Sequence, residues 1–107
     1  MEIKAAVTHK QGEAFKLEPV ELAEPALGEI RVRIVATGVC HTDAVARDLG
    51  IAPFPIVLGH EGAGVVDAVG EGVTDLKPGD HVVLLFAHCG GCGNCLTGHP
   101  TVCDTFN

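Results

Sequence analysis

Four cysteines fall within fifteen residues, as Cys89-x2-Cys92-x2-Cys95-x7-Cys103, and no other feature restricts the fold of this chain so tightly. Two-residue gaps let successive sulfurs converge on one point. Gly90, Gly91, Gly93 and Gly98 give the backbone the freedom that so sharp a loop requires. Four thiolates in a tetrahedron make a closed, structural zinc site. A segment this poor in apolar side chains cannot order itself by burial, whereas bound metal supplies on the order of 10 kcal/mol in small zinc modules. Disulfides, free thiols or an iron-sulfur cluster would use the same residues. Short Cys-x2-Cys loops strain a disulfide, and five cysteines in all is an odd number. His88 and His99 are spare ligands, but four sulfurs already fill the shell. The lobe so defined runs from about residue 88 to 107, and a closed site leaves no open position for chemistry.

The rest of the 107 residues reads as one mainly β domain. The chain is 47% hydrophobic yet has no Trp or Tyr and only four Phe, so its core must be aliphatic. Fourteen Gly and six Pro call for many tight turns. Strands are expected over Glu2–His9 and Phe15–Leu22, joined by a Lys10-Gln11-Gly12 turn, and over Glu29–Val35, where polar and apolar residues alternate and one face is expected buried, the other wet. A short helix is expected over Thr42–Leu49, stopped by Gly50. Strands follow at Ile56–Leu58, at the glycine-spaced Gly62–Gly70 and, after a Lys77-Pro78-Gly79-Asp80 turn, at His81–Phe86. Close backbone approach, or a sharply bent barrel strand, is expected along the glycine-spaced segment.

Formal charge is -7, and no Lys/Arg cluster offers the footprint of a nucleic-acid binder. No apolar run reaches membrane-spanning length, so no membrane partner is expected. Met1-Glu2-Ile3-Lys4-Ala5-Ala6 is unlike a signal peptide, which makes a reducing, cytoplasmic location the expectation.

A second set of metal-ligating residue types is dispersed. Cys40 ends a strand just before a helix, where the helix N-terminus favours the thiolate. His60 and Glu61 follow another apolar run. A Cys and a His suit a zinc site with an open position, and Asp43 is placed to accept a hydrogen bond from the far nitrogen of His60. Taken singly, each has a duller role: a small buried thiol, or a surface His-Glu pair.

Three segments in order resemble the zinc-containing alcohol dehydrogenases of the medium-chain superfamily. They are Gly38-Val39-Cys40-His41-Thr42-Asp43, then Gly59-His60-Glu61-Gly62-Ala63-Gly64-Val65-Val66 continued to Val69–Val73 and Lys77–Val82, and the four-cysteine lobe. The wording around Cys40 and Phe86 looks most like the aryl- or benzyl-alcohol branch. The resemblance implies a GroES-like, partly open β-barrel with one or two short helices and a projecting zinc lobe. It implies that Cys40 and His60 bind a catalytic zinc, with Glu61 behind it as an occasional ligand. Thr42 would take the proton of the alcohol, His41 would lie near the pyrophosphate of NAD(P), and Phe86 would line the substrate pocket.

By the same resemblance, residues 1–107 are a truncated catalytic domain, with the nucleotide-binding Rossmann domain absent. No Gly-x-Gly-x-x-Gly follows any strand, and the family's third catalytic cysteine ligand is missing. Val45 stands where many members end the proton relay in histidine. The expected partners are an alcohol or aldehyde for the full-length enzyme and further copies of the chain in a homo-oligomer. The rival expectation is a stand-alone zinc-binding GroES-like module serving assembly or interaction.

Overall fold

A computed structural model describes residues 1–105. The first strand, β1 (Glu2–Thr8), hairpins onto β2 (Lys16–Glu21), with Glu2 opposite Glu21 and Val7 opposite Lys16. Gly12, at a φ of 76°, supplies the left-handed turn that other residues rarely adopt. Thr8 is fully buried, and its hydroxyl is shared between the carbonyl oxygens of Lys10 and Glu13, at 3.3 and 3.2 Å. That satisfies a buried polar group and pins the turn at the same time. The two-residue β4 (Ile56–Val57) pairs with the other side of β1 and completes an antiparallel sheet ordered β2-β1-β4.

The second sheet is also antiparallel, ordered β3-β5-β6, from β3 (Ile30–Thr37), β5 (Gly62–Val69) and β6 (His81–Val83). Its central strand packs tightly: Val66 is 2% exposed, and a Cβ on Gly64 would overlap the backbone carbonyl of Arg33. The glycine spacing of β5 is therefore a requirement of close strand approach. Irregularities in register at Arg31/Val32 and Ile34/Ala36 bend β3.

Two expectations are corrected here. The alternation of β3 does not produce a buried face; none of its residues is buried, because the bulges break the two-residue period and β3 is an edge strand. The last strand ends at Val83 rather than Phe86. Just past its end Leu84 N–H still bonds to Gly62 O at 2.9 Å, whereas the Glu61 carbonyl faces the other neighbour, β3, and accepts from Gly38 N–H.

Between the sheets' strands, α1 (His41–Leu49) begins one residue before the expected start. Gly50 closes it at a φ of 63°, its N–H reaching Ala46 O. Asp43 in the first turn and Arg47 in the last complement the helix dipole. The cysteine lobe contains a single helical turn, α2 (Gly93–Leu96), and a 3-10 turn at Pro100–Val102. The end of the expected lobe, residues 106–107, lies outside the described residues.

Among the described residues the buried apolar core is small, namely Val7, Val66 and Cys103, while Leu17, Val35, Val83 and Leu85 stand exposed. No helix among them is long and apolar enough to cross a membrane.

Replacing Gly64 by Ala forces backbone apart and should lower stability by about 1–3 kcal/mol. Gly91→Ala, whose Cβ would meet nothing within 4 Å, should stay within roughly 0.5 kcal/mol of wild type. Paired denaturant melts of the two variants check this; equal losses would refute the close-approach account.

Candidate metal centres

The four lobe cysteines converge. Their sulfurs all lie within 4.8 Å of one another. Cys89 Sγ is 4.0 Å from Cys95 Sγ, and Cys92 Sγ is 4.0 Å from Cys103 Sγ. A tetrahedron of zinc-sulfur bonds near 2.3 Å sets sulfurs about 3.8 Å apart, so the four fit one zinc ion with little adjustment. All five cysteines of the chain are free thiols, and no disulfide competes.

Backbone amides converge on the same sulfurs. Cys89 Sγ accepts from Gly91 N–H and Cys92 N–H at 3.4 and 3.2 Å, Cys92 Sγ from Cys95 N–H at 3.5 Å, and Cys103 Sγ from Cys89 N–H at 3.3 Å. At Cys92 and Cys103 such donors favour thiolate, the ligand form. The Thr105 hydroxyl and then the Cys89 amide hold the Cys103 thiol down to about 5, whereas burial pushes Cys95 up to about 12. One proton thus leaves the cluster easily and another is held. Asn94 ties the lobe together, donating from Nδ2 to Val102 O at 2.8 Å and to Asp104 Oδ1 at 2.9 Å. Nothing in the sequence singled out Asn94 or Thr105, because a hydrogen bond from one small polar residue leaves no periodic signature.

The second cluster is built by tertiary pairing. Cys40 is the N-cap residue of α1, and His60 and Glu61 immediately precede β5. The Gly38 N–H to Glu61 O bond, at 2.9 Å, joins the two segments at this point. The sulfur of Cys40, a ring nitrogen of His60 and a carboxylate oxygen of Glu61 come within 4.8 Å of one another. His60 Nε2 is 3.7 Å from Glu61 Oε1, while its Nδ1 is 3.1 Å from Asp43 Oδ1, an orientation that holds the ring in one tautomer. Sulfur and nitrogen at one corner, with a carboxylate oxygen beside them, fit zinc with a position left open.

Cys40 Sγ is hydrogen-bonded to Thr42 Oγ1 at 3.2 Å. The Thr42 hydroxyl, its amide and then the His60 ring pull the Cys40 thiol below its ordinary value, while Cys40 and then Asp43 raise His60. Phe86 stacks on His60 with ring centroids 5.0 Å apart and planes 20° from parallel. His41, the first residue of α1, is exposed, and Val45 lies half-buried in the same helix. The structure thus gathers Cys40, Thr42, Asp43, His60, Glu61 and Phe86 in one place, separate from the four-cysteine set.

A family model, the alcohol dehydrogenase GroES-like domain, matches residues 26–107. The chain belongs to this family. A geraniol dehydrogenase from Castellaniella defragrans is 55% identical over 94% of the chain, which spans 27% of that relative. Among solved structures, an alcohol dehydrogenase zinc-binding domain protein from Burkholderia ambifaria superposes with a TM-score of 0.95 at 48% identity, over 99% of this chain and 29% of that one. The benzyl alcohol dehydrogenase of Acinetobacter calcoaceticus superposes at 0.93 and 47%, over 99% and 30%. The chain thus spans less than a third of the length of these relatives. Its open sheets, short helices and cysteine lobe are those of a GroES-like domain, as the resemblance implied.

Since Cys103 is already thiolate at neutral pH, zinc binding to the metal-free chain at pH 7 should release fewer than four protons, measurable by calorimetry in buffers of different ionisation enthalpy. Cys103 is held below its usual 9.0. Its contribution to the metal-free fold is therefore full above pH 9 and fades as the pH falls through about 5. Release of all four protons would contradict this ordering of the thiols.

Proposed function

We propose that residues 1–107 form the truncated catalytic domain of a zinc- and NAD(P)-dependent alcohol dehydrogenase that oxidises primary alcohols, aromatic ones among them, to aldehydes. The observation that carries the reading is the corner where Cys40, His60 and Glu61 place sulfur, nitrogen and oxygen within 4.8 Å. The names of the matched relatives, with geraniol and benzyl alcohol among the alcohols, support an allylic or aromatic substrate.

Zinc held at that corner supplies Lewis acidity, which makes an alcohol hydroxyl more acidic. The side chains do the rest. Thr42 Oγ1, beside Cys40, accepts the proton of the alcohol and can donate its own onward. Val45 carries no proton, so the relay continues through water or another group. Asp43 fixes the His60 ring, and Phe86, packed flat on that ring, offers an apolar wall to the substrate carbon chain. His41, exposed at the start of α1, is assigned to the pyrophosphate of NAD(P). The four lobe cysteines are assigned to a second, structural zinc. Because no dinucleotide fingerprint occurs in the chain, hydride transfer needs a nucleotide-binding Rossmann domain beyond these residues.

The rival, a stand-alone assembly module, gives no reason for Cys40, Thr42, His60 and Glu61 to meet. Exposed Leu17, Val35, Val83 and Leu85 support burial against further protein, and a homo-oligomer is part of the proposal. A cytoplasmic location is proposed from the free thiols of the cysteine lobe.

Metal analysis after dialysis should find close to one tightly held zinc per chain, with a second bound weakly at Cys40 and His60. Cys103→Ser should remove the tight ion and Cys40→Ser the weak one; two equally tight ions would contradict the assignment. In an enzyme of the relatives' full length, Thr42→Val should lower kcat/KM by roughly 10²–10⁴-fold, whereas the 107-residue chain alone should not reduce NAD with any alcohol.

A further inference from the structure

Gly38 stands against the second cluster for a steric reason. A Cβ built there would overlap Glu61 Oε2 and come within 3.0 Å of Cδ and 3.1 Å of Cβ of the same residue. The other carboxylate oxygen, Oε1, faces His60 Nε2 at 3.7 Å. The carboxylate is thus lodged between the bare α-carbon of Gly38 and the metal corner. Its backbone is fixed there by the Gly38 N–H to Glu61 O bond. At 3.7 Å the carboxylate stops short of a hydrogen bond to His60. It is near enough to ligate after a small swing, and far enough to leave the corner open.

We propose that Gly38 is a positioning residue: its missing side chain provides the slot into which the Glu61 carboxylate withdraws, keeping one coordination position free. The inference rests on the assignment of a metal to Cys40 and His60. φ at Gly38 is not in the left-handed range, so the backbone itself does not demand glycine here. The overlapped oxygen ends a flexible side chain, nearly half exposed at 44%. The oxygen leaves by side-chain rotation and Glu61 Cβ, 3.1 Å away, has to give by only a few tenths of an ångström, so filling the slot should cost little stability. It should instead drive the carboxylate away from residue 38 and toward His60, occupying the open position.

Cobalt(II) binding to the metal-free chain tests this, since sulfur-to-cobalt charge transfer reports both centres. The four-cysteine centre serves as an internal control for folding in every variant. Gly38→Ala should bind cobalt at the Cys40 and His60 corner at least tenfold more tightly, with altered d–d bands. Melting of the metal-free chain should be nearly unchanged. The same substitution in a Glu61→Ala background should have no effect on affinity. Unchanged or weaker cobalt binding in Gly38→Ala, or tightening that persists without Glu61, overturns the role assigned to Gly38. Absence of any second cobalt in the unaltered chain would instead overturn the metal assignment beneath it.

Discussion

The pairing of β3 with β5 is the contact on which the candidate centre depends. It runs antiparallel from Ile30 opposite Val69 to Thr37 opposite Gly62, and the Gly38 to Glu61 backbone bond extends it by one step. Because the strands run in opposite directions, the end of one lies beside the start of the other. Cys40 leaves the first and His60 enters the second, so both arrive at one corner without a long side chain having to reach. The small residues of β5 permit this: with Arg33 backbone against Gly64 there is no room for a larger side chain.

The two clusters use metal-ligating groups in opposite ways. In the lobe, closely spaced cysteines and converging amides form a shell with no vacancy, which suits a part that has only short turns to hold it. At the Cys40 corner the donors come from separate elements of the sheet and helix, and Cys40 sulfur and His60 nitrogen, with the Glu61 carboxylate beside them, leave a position open. Asp43 on α1 orients His60 on the loop before β5, so helix and sheet are coupled through an imidazole. Phe86, carried there as the chain leaves β6, closes one side of the ring.

Much of this was legible locally. The Lys10-Gln11-Gly12 turn marked β1 and β2 as a hairpin, Gly50 marked the end of α1, and the proline-glycine turn before β6 closed where its composition indicated, with Asp80 accepting from both the amide and the ammonium of Lys77. Edges were less legible. β3 reads as half-buried but is not, since burial depends on which layer covers a strand, and a bulge shifts side chains from one face to the other. The early end of β6 depends on how far its backbone stays beside β5, which a single segment cannot reveal.

The sequence by itself determined the cysteine lobe, because ligands a few residues apart must meet whatever the remainder does. It also determined which residue types were available for a second centre. Only the tertiary structure decided that Cys40, His60 and Glu61 share a corner, that Asp43 takes the outer nitrogen of the ring, and that Gly38 leaves space for a carboxylate from another strand. Those contacts join residues about twenty positions apart. Their distances follow from strand register and backbone approach, quantities that no local pattern of side chains encodes.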